Sequence, residues 1–307
     1  MEHIYDIIIL GGGPAGYSAA LYAARAGFDA VLIEKMSPGG QMALTGDIDN
    51  YPGFDEGVDG FTLGMKMQAG AERFGAKTEY ATVTEVDFSE KIKKITTDNG
   101  EFYGNSVIIA FGADPRKLGI DGEDENVGNG VHYCAHCDGR FFKDKTVAVV
   151  GGGNSAAEDA LYLSRLCKKV FLIHRRDTLR ASKVYHAPLE NAQNIEFIWN
   201  SKVCEINAEN GSFNGISVKN ITSDKVSNIE CDALFISIGR QPVTEIFKGK
   251  LPLDANGYII ADETTKTEIP GVFAAGDIRQ KALRQVVTAA ADGAVAVHFA
   301  EEYLIKN

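Results

Sequence analysis

The chain has 307 residues, 45% hydrophobic, 24% charged and 9% aromatic, with a formal net charge of -11. That length accommodates two domains with separate cores, and the acidic balance argues against general nucleic-acid binding. No membrane-spanning helix is expected, because the apolar run from Val286 to Ala300 is broken by Asp292 and His298.

The N-terminal segment Met1 to Asp6 enters a strand without a basic and apolar leader, so a cytoplasmic location is expected. Of the five cysteines, Cys134 and Cys137 form a C-x-x-C. Cys167, Cys204 and Cys231 stand alone and read as small buried hydrophobes. A zinc site would need a second close pair, so no metal is expected.

The first element is the apolar β-branched run Tyr5 to Leu10, of the kind buried in a parallel sheet. It leads into Gly11-Gly12-Gly13-Pro14-Ala15-Gly16 and a helix expected from about Ala15 to Ala26, with Gly27 as its stop. A second strand, Ala30 to Ile33, ends at Glu34. The same grammar returns as Thr146 to Val150, then Gly151-Gly152-Gly153-Asn154-Ser155-Ala156, a helix to about Leu166, and Val170 to Ile173 ending at His174. Gly11 to Glu34 and Gly151 to His174 both span 23 positions, so the chain holds two dinucleotide-binding units in one register.

Each unit has a later strand ending in glycine, Val107 to Gly112 and Leu234 to Gly239. A polar, proline-bearing segment follows each, Ala113 to Arg116 and Arg240 to Val243. These segments read as crossings between domains. The expected organisation is α/β, with two Rossmann-like domains and one inserted in the other. The boundaries are 1–116, 117–243 and 244–307.

Each glycine motif follows a strand and opens a helix, so its backbone N–H groups can approach a pyrophosphate over the helix N-terminus. Pro14 suits the first helical turn. Glu34 can accept from both ribose hydroxyls of an adenosine, which suits FAD or NAD(H). The matching His174 is followed by Arg175, Arg176 and Arg180. Guanidinium groups there bind a 2'-phosphate, so the second ligand is expected to be NADPH.

The spacing of Cys134 and Cys137 lets their sulfurs close into a small reducible disulfide. His136 is either a thiolate stabiliser or an exposed spacer. Asp138 is either an acid that returns a proton to a leaving thiolate or a turn or cap residue.

These features together resemble the low-molecular-weight thioredoxin reductases over essentially the whole length. The matching segments are Gly11 to Gly16, Gly39-Gly40-Gln41, Asn50 to Gly53, Cys134 to Gly139, Gly151 to Glu158, His174-Arg175-Arg176 with Arg180, and Ala275-Gly276-Asp277 with Arg284-Gln285. The resemblance implies that Cys137 lies next to a flavin, that Cys134 attacks the protein substrate, and that Asp138 is the acid-base residue.

It also implies FAD contacts from Gly11, Gly13, Pro14, Ala15, Gly16, Glu34, Lys35, Gly40, Gln41, Asn50, Asp277, Arg284, Gln285 and Val286. NADPH contacts would come from Gly153, Asn154, Ser155, Glu158, His174, Arg175, Arg176 and Arg180. Thioredoxin is the expected protein substrate, in a homodimeric enzyme. Ala110-Phe111-Gly112 departs from the Ala-Thr-Gly frequent in the family, which should alter only local packing.

The alternatives are a reductase of another redoxin or of a peroxiredoxin, a ferredoxin-driven relative, a dithiol oxidase, or a non-catalytic NADPH-binding sensor. The larger peroxiredoxin reductases carry an extra N-terminal domain, whereas this chain starts with the flavin strand. Relatives fed by ferredoxin lack the basic motif. The topology also predicts that the inserted domain rotates about the crossings during turnover. Cross-linking the two domains should then stop catalysis, and undiminished turnover would overturn the expectation.

Overall fold

The computed structural model describes residues 3–44, 47–209 and 211–307. It divides into two compact units, one formed by 1–114 with 241–307 and the other by 115–240. Both are α/β units with Rossmann-like parallel sheets. The chain passes from one unit to the other at 114–115 and at 240–241. Arg116 N–H donates to the Gly239 carbonyl at 3.0 Å in the second unit, and Val243 N–H to the Gly112 carbonyl at 3.2 Å in the first.

In the first unit the strand Ile4–Leu10 lies between Ala30–Glu34 and Gly100–Ile109, parallel to both. Alternate side chains leave a strand on opposite faces. Ile7 and Ile9 join one core with Ala19 and Ala23 of the helix Pro14–Arg25 and with Ala296 and Val297 of the helix Val286–Lys306. Ile8 and Leu10 join another with Val86, Ile95, Phe247 and Ile259. Both faces are covered, which is why the strand reads as an unbroken apolar run.

The helix begins at Pro14 and ends at Arg25, one residue before its expected limits at each end. A Cβ on Gly16 would lie 1.8 Å from the Gly11 carbonyl oxygen, so the strand-to-helix turn admits no side chain there. Phe111 packs in the second core, its ring 5.8 Å from that of Phe247.

In the second unit all five strands of the main sheet are parallel, in the order Val131–His132, Ala233–Ile236, Thr146–Val150, Lys169–Ile173, Ile195–Ile198. Val147 and Val149 pack on Ala156, Ala160 and Leu163 of the helix Asn154–Ser164. Ala148 and Val150 face Val203, Ile216 and Val218. Those residues belong to an antiparallel sheet formed by Ser201–Glu209, Ser212–Asn220 and Val226–Glu230. Among the described residues, no helix is long and apolar enough to cross a membrane.

Candidate active site: two glycine turns and a redox disulfide

The parallel register sets the first glycine turn. Leu10 pairs with Ile33, so Gly11 and Gly12 emerge beside Glu34. Gly12 N–H donates to Glu34 Oε2 at 2.6 Å, and Met36 N–H donates to Oε1 at 3.1 Å. A carboxylate has about four lone-pair sites, so Glu34 keeps acceptor capacity for ribose hydroxyls.

Gly39 and Gly276 approach this turn, and other expected residues are held by partners of their own. Gly39 N–H donates to the Gly12 carbonyl at 2.8 Å. A Cβ on Gly276 would lie 2.9 Å from that of Ala15, which places the Gly276-Asp277 turn over the start of the first helix. Asn50 donates to Gln285 Oε1 at 3.0 Å, and Arg284 lies 4.0 Å over the Tyr258 ring. Gln41 donates to Asp114 Oδ1 at 2.7 Å, and Val286 packs by Met42, Ile48 and Leu63. Lys35 is exposed.

The second turn repeats this geometry with a different residue. Val150 pairs with Ile173, so Gly151 and Gly152 emerge beside His174. A Cβ on Gly152 would lie 2.1 Å from His174 Cε1, whereas one on Gly12 would lie 2.9 Å from Glu34 Oε2. His174 is buried, and burial with the charges of Arg180, Arg175 and Arg176 pushes its pKa down, leaving a neutral ring under the turn. The three arginines are exposed. Arg180 N–H donates to the Gly152 carbonyl at 2.7 Å and Ser182 N–H to Asn154 Oδ1 at 2.8 Å, which folds the basic loop against the turn. Tyr185 donates to Glu158, and Ser155 is exposed.

Both turns fit a nucleotide. Neither the helix starting at Pro14 nor the one starting at Asn154 has a side-chain cap. A Cβ on Gly13 or on Gly153 would meet nothing within 4 Å. The first-turn N–H groups are therefore open to a pyrophosphate.

Cys134 and Cys137 are joined in a disulfide, with Cα atoms 5.3 Å apart. Cys134 is the N-cap of the short helix Ala135–Asp138, and Cys137 and Asp138 N–H both donate to its carbonyl, at 3.2 and 3.1 Å. His136 is exposed with its ring 4.2 Å from that of Tyr162. Asp138 is half-buried, and its Oδ2 lies 2.9 Å from His132 Nδ1. The sequence reading missed His132, because an isolated histidine five residues before the second cysteine fits no spacing rule. Of the remaining thiols, Cys167 and Cys231 are buried and Cys204 is half-buried. Burial pushes Cys167 up to about 11 and Cys231 up to about 12, and Cys204 donates to the Ser217 carbonyl at 3.3 Å.

A second set of residues outside the sequence reading holds the Gly276-Asp277 turn. Arg279, 1% exposed, donates from Nε and Nη2 to Asp292 at 2.8 and 2.9 Å. Lys281 and the Gly276 N–H reach Asp292 Oδ2 at 2.9 and 2.8 Å. Burial works to raise the Asp292 pKa, but hydrogen bonds from Arg279 and Lys281 outweigh it and hold the carboxyl below its usual range. A depressed carboxyl contributes stability above its unfolded value of about 4 and loses it as pH falls through the folded value. Asp292→Ala should therefore cost about 3 kcal/mol at pH 7, because buried Arg279 is left with only the exposed Glu263 carboxylate, 3.6 Å away, as its charge partner. In urea unfolding, the gap from wild type should narrow as the pH is taken below that range. A gap independent of pH would contradict this.

Residues 5–293 match the pyridine nucleotide-disulphide oxidoreductase family, and the chain belongs to it. A thioredoxin reductase of Peptoclostridium acidaminophilum is 45% identical over 313 residues, covering 100% of this chain and 99% of that protein. One from Listeria monocytogenes is 44% identical over 303 residues, covering 99% and 95%. The crystal structure of thioredoxin reductase from Streptococcus pyogenes superposes with a TM-score of 0.93 at 42% identity, covering 100% of both chains.

Proposed function

We propose that this chain is a cytoplasmic, homodimeric thioredoxin-disulfide reductase that draws electrons from NADPH through FAD. The observation that carries the reading is the closed Cys134–Cys137 pair with Asp138 directly after it, in a chain with two uncapped glycine turns. Flavin and nicotinamide cofactors follow from membership of the family.

FAD is assigned to Gly11, Gly13 to Gly16, Glu34, Lys35, Gly40, Gln41, Asn50, Asp277 and Arg284 to Val286. NADPH is assigned to Gly153 to Ser155, Glu158, His174, Arg175, Arg176 and Arg180. The exposure of the three arginines supports this, because a 2'-phosphate reaches them without displacing a partner. The exposed apolar side chains Leu44, Phe61 and Met65 support a partner surface for the second protomer.

When bound, the nicotinamide and flavin supply the electron pair that opens the disulfide. The chain's own residues then do the exchange. Cys137 is the sulfur assigned to the flavin side, and Cys134, at the helix N-cap, is the one that attacks the thioredoxin disulfide. Asp138 holds and returns the proton that the leaving sulfur takes.

Heat release and chromatography of the bound flavin test the cofactor assignment, and anaerobic mixing with NADPH or NADH tests the donor. FAD as the released flavin, bleached far faster by NADPH, is expected. Equal rates with the two nucleotides, or a different flavin, would overturn the assignment.

A further inference from the structure

His132 presents an anomaly. Its ring is 9% exposed and lies in an apolar slot, 5.4 Å from the stacked Phe235 ring and 5.1 Å from the edge-on Phe142 ring. Its Nε2 is buried with no hydrogen-bond partner among the described residues. A phenylalanine would fill such a slot without stranding a polar atom. What the imidazole adds is Nδ1, which lies 2.9 Å from Asp138 Oδ2. Once Asp138 has given up its proton its carboxylate can only accept, so in that state the proton of this bond sits on Nδ1. Asp138 Oδ1 accepts no hydrogen bond from any described residue.

We propose that His132 is a positioning residue of the redox turn, orienting Asp138 through Nδ1–H and holding its carboxylate after the proton has gone to sulfur. The proposal rests on the thioredoxin reductase reading above. In the exchange, Cys134 Sγ bonds one partner sulfur as the partner's disulfide breaks. Cys137 Sγ then bonds Cys134 Sγ, re-forming the internal disulfide and releasing the second partner sulfur. Two electrons and two protons pass to the partner. Asp138 supplies the proton of one partner thiol, its O–H breaking as an S–H forms, and solvent supplies the other; of the two protons given up by the Cys134 and Cys137 thiols, one goes to solvent and one restores Asp138. The carboxylate left in between is half-buried and has His132 Nδ1–H as its donor, a charge-assisted bond. The two flanking rings fix the imidazole, so the bond is aimed before the proton moves.

The test compares wild type, His132→Phe, His132→Asn and Asp138→Asn, and combines His132→Phe with Asp138→Asn. Far-UV circular dichroism and melting confirm that each is folded. His132→Phe should lower kcat for thioredoxin reduction roughly tenfold, with KM for thioredoxin and NADPH within about twofold. His132→Asn, which keeps an N–H donor near Nδ1, should recover kcat to within about threefold. In the Asp138→Asn background, His132→Phe should add nothing.

Two readouts need neither cofactor turnover nor thioredoxin. One is a downfield imidazole N–H proton in the NMR spectrum, present in wild type and lost in His132→Asn. The other is the iodoacetamide rate on the phosphine-reduced dithiol, changed by His132→Phe and insensitive to it once Asp138 is asparagine. Unchanged kcat in folded His132→Phe would overturn the proposal. So would equal damage from Phe and Asn, or equal loss from His132→Phe with and without Asp138. If the wild type fails to reduce thioredoxin but the N–H proton and the alkylation coupling persist, the functional reading fails and the His132–Asp138 linkage stands.

Discussion

Cys134→Ser is expected to lower NADPH-dependent thioredoxin reduction by roughly a thousandfold or more, because serine supplies no thiolate and closes no disulfide. Cys134 is the N-cap of the turn and Cys137 lies one helical turn on, so the two sulfurs act as one unit. Cys137→Ser should be as damaging, and the double variant should be no worse than either single one. Bleaching of the flavin by NADPH should stay within about twofold of wild type in all three, since that step uses no cysteine sulfur. Stopped-flow absorbance for the first step and insulin precipitation for the second separate these outcomes. Cys134→Ser with wild-type thioredoxin turnover would contradict the assignment.

Removing the positive charges beside the second glycine turn should change the choice of nucleotide. Arg175, Arg176 and Arg180 are exposed, so each bond to a 2'-phosphate is discounted for solvent screening. Even so, the triple alanine variant should lose roughly 100-fold in kcat/KM for NADPH. NADH, which lacks the phosphate, should change by no more than about threefold. The salt dependence of the NADPH reaction should weaken in parallel, because the lost interaction is electrostatic. His174 should not share this phenotype. Its ring is buried, pushed toward the neutral form by burial and the neighbouring arginines, and packed against Gly152. His174→Ala should loosen the turn and weaken both nucleotides alike. A triple variant that still prefers NADPH at the wild-type ratio would contradict the arginine assignment.

The parts legible in the sequence are those fixed by local pattern. The equal spacing from Gly11 to Glu34 and from Gly151 to His174 carries through to matching registers, Leu10 beside Ile33 and Val150 beside Ile173. The apolar runs become central strands because helices or a second sheet cover both faces. Element ends shift by a residue or two, as with the helix after the second glycine turn, which starts at Asn154 and stops at Ser164.

The parts not legible depend on long-range contact. The antiparallel sheet of Ser201–Glu209, Ser212–Asn220 and Val226–Glu230 does not stand out, because register shifts between Val203 and Glu205 and between Asn207 and Ala208 break the alternation and Ser201 and Ser217 occupy buried positions. Asp292 reads only as a break in an apolar run, yet it is the buried partner of Arg279 and Lys281, which lie outside its own helix. His132 has no motif, because its partner Asp138 is brought to it by the turn that closes the disulfide. Within the nucleotide sites the chain order names the residues, and the fold adds which of them hold each other. Glu34 binds Gly12, Asn50 meets Gln285, and the basic loop is tied to Gly152.

The most direct test of the central claim is a single anaerobic titration of purified wild-type protein with NADPH and excess oxidised thioredoxin, counting free thiols as NADPH is consumed. The account predicts two thioredoxin thiols per NADPH, no thiols with NADH at the same concentration within the same time, and none with NADPH after Cys137→Ser. Consumption of NADPH without thioredoxin thiols, or thiols formed equally well by Cys137→Ser, would contradict it.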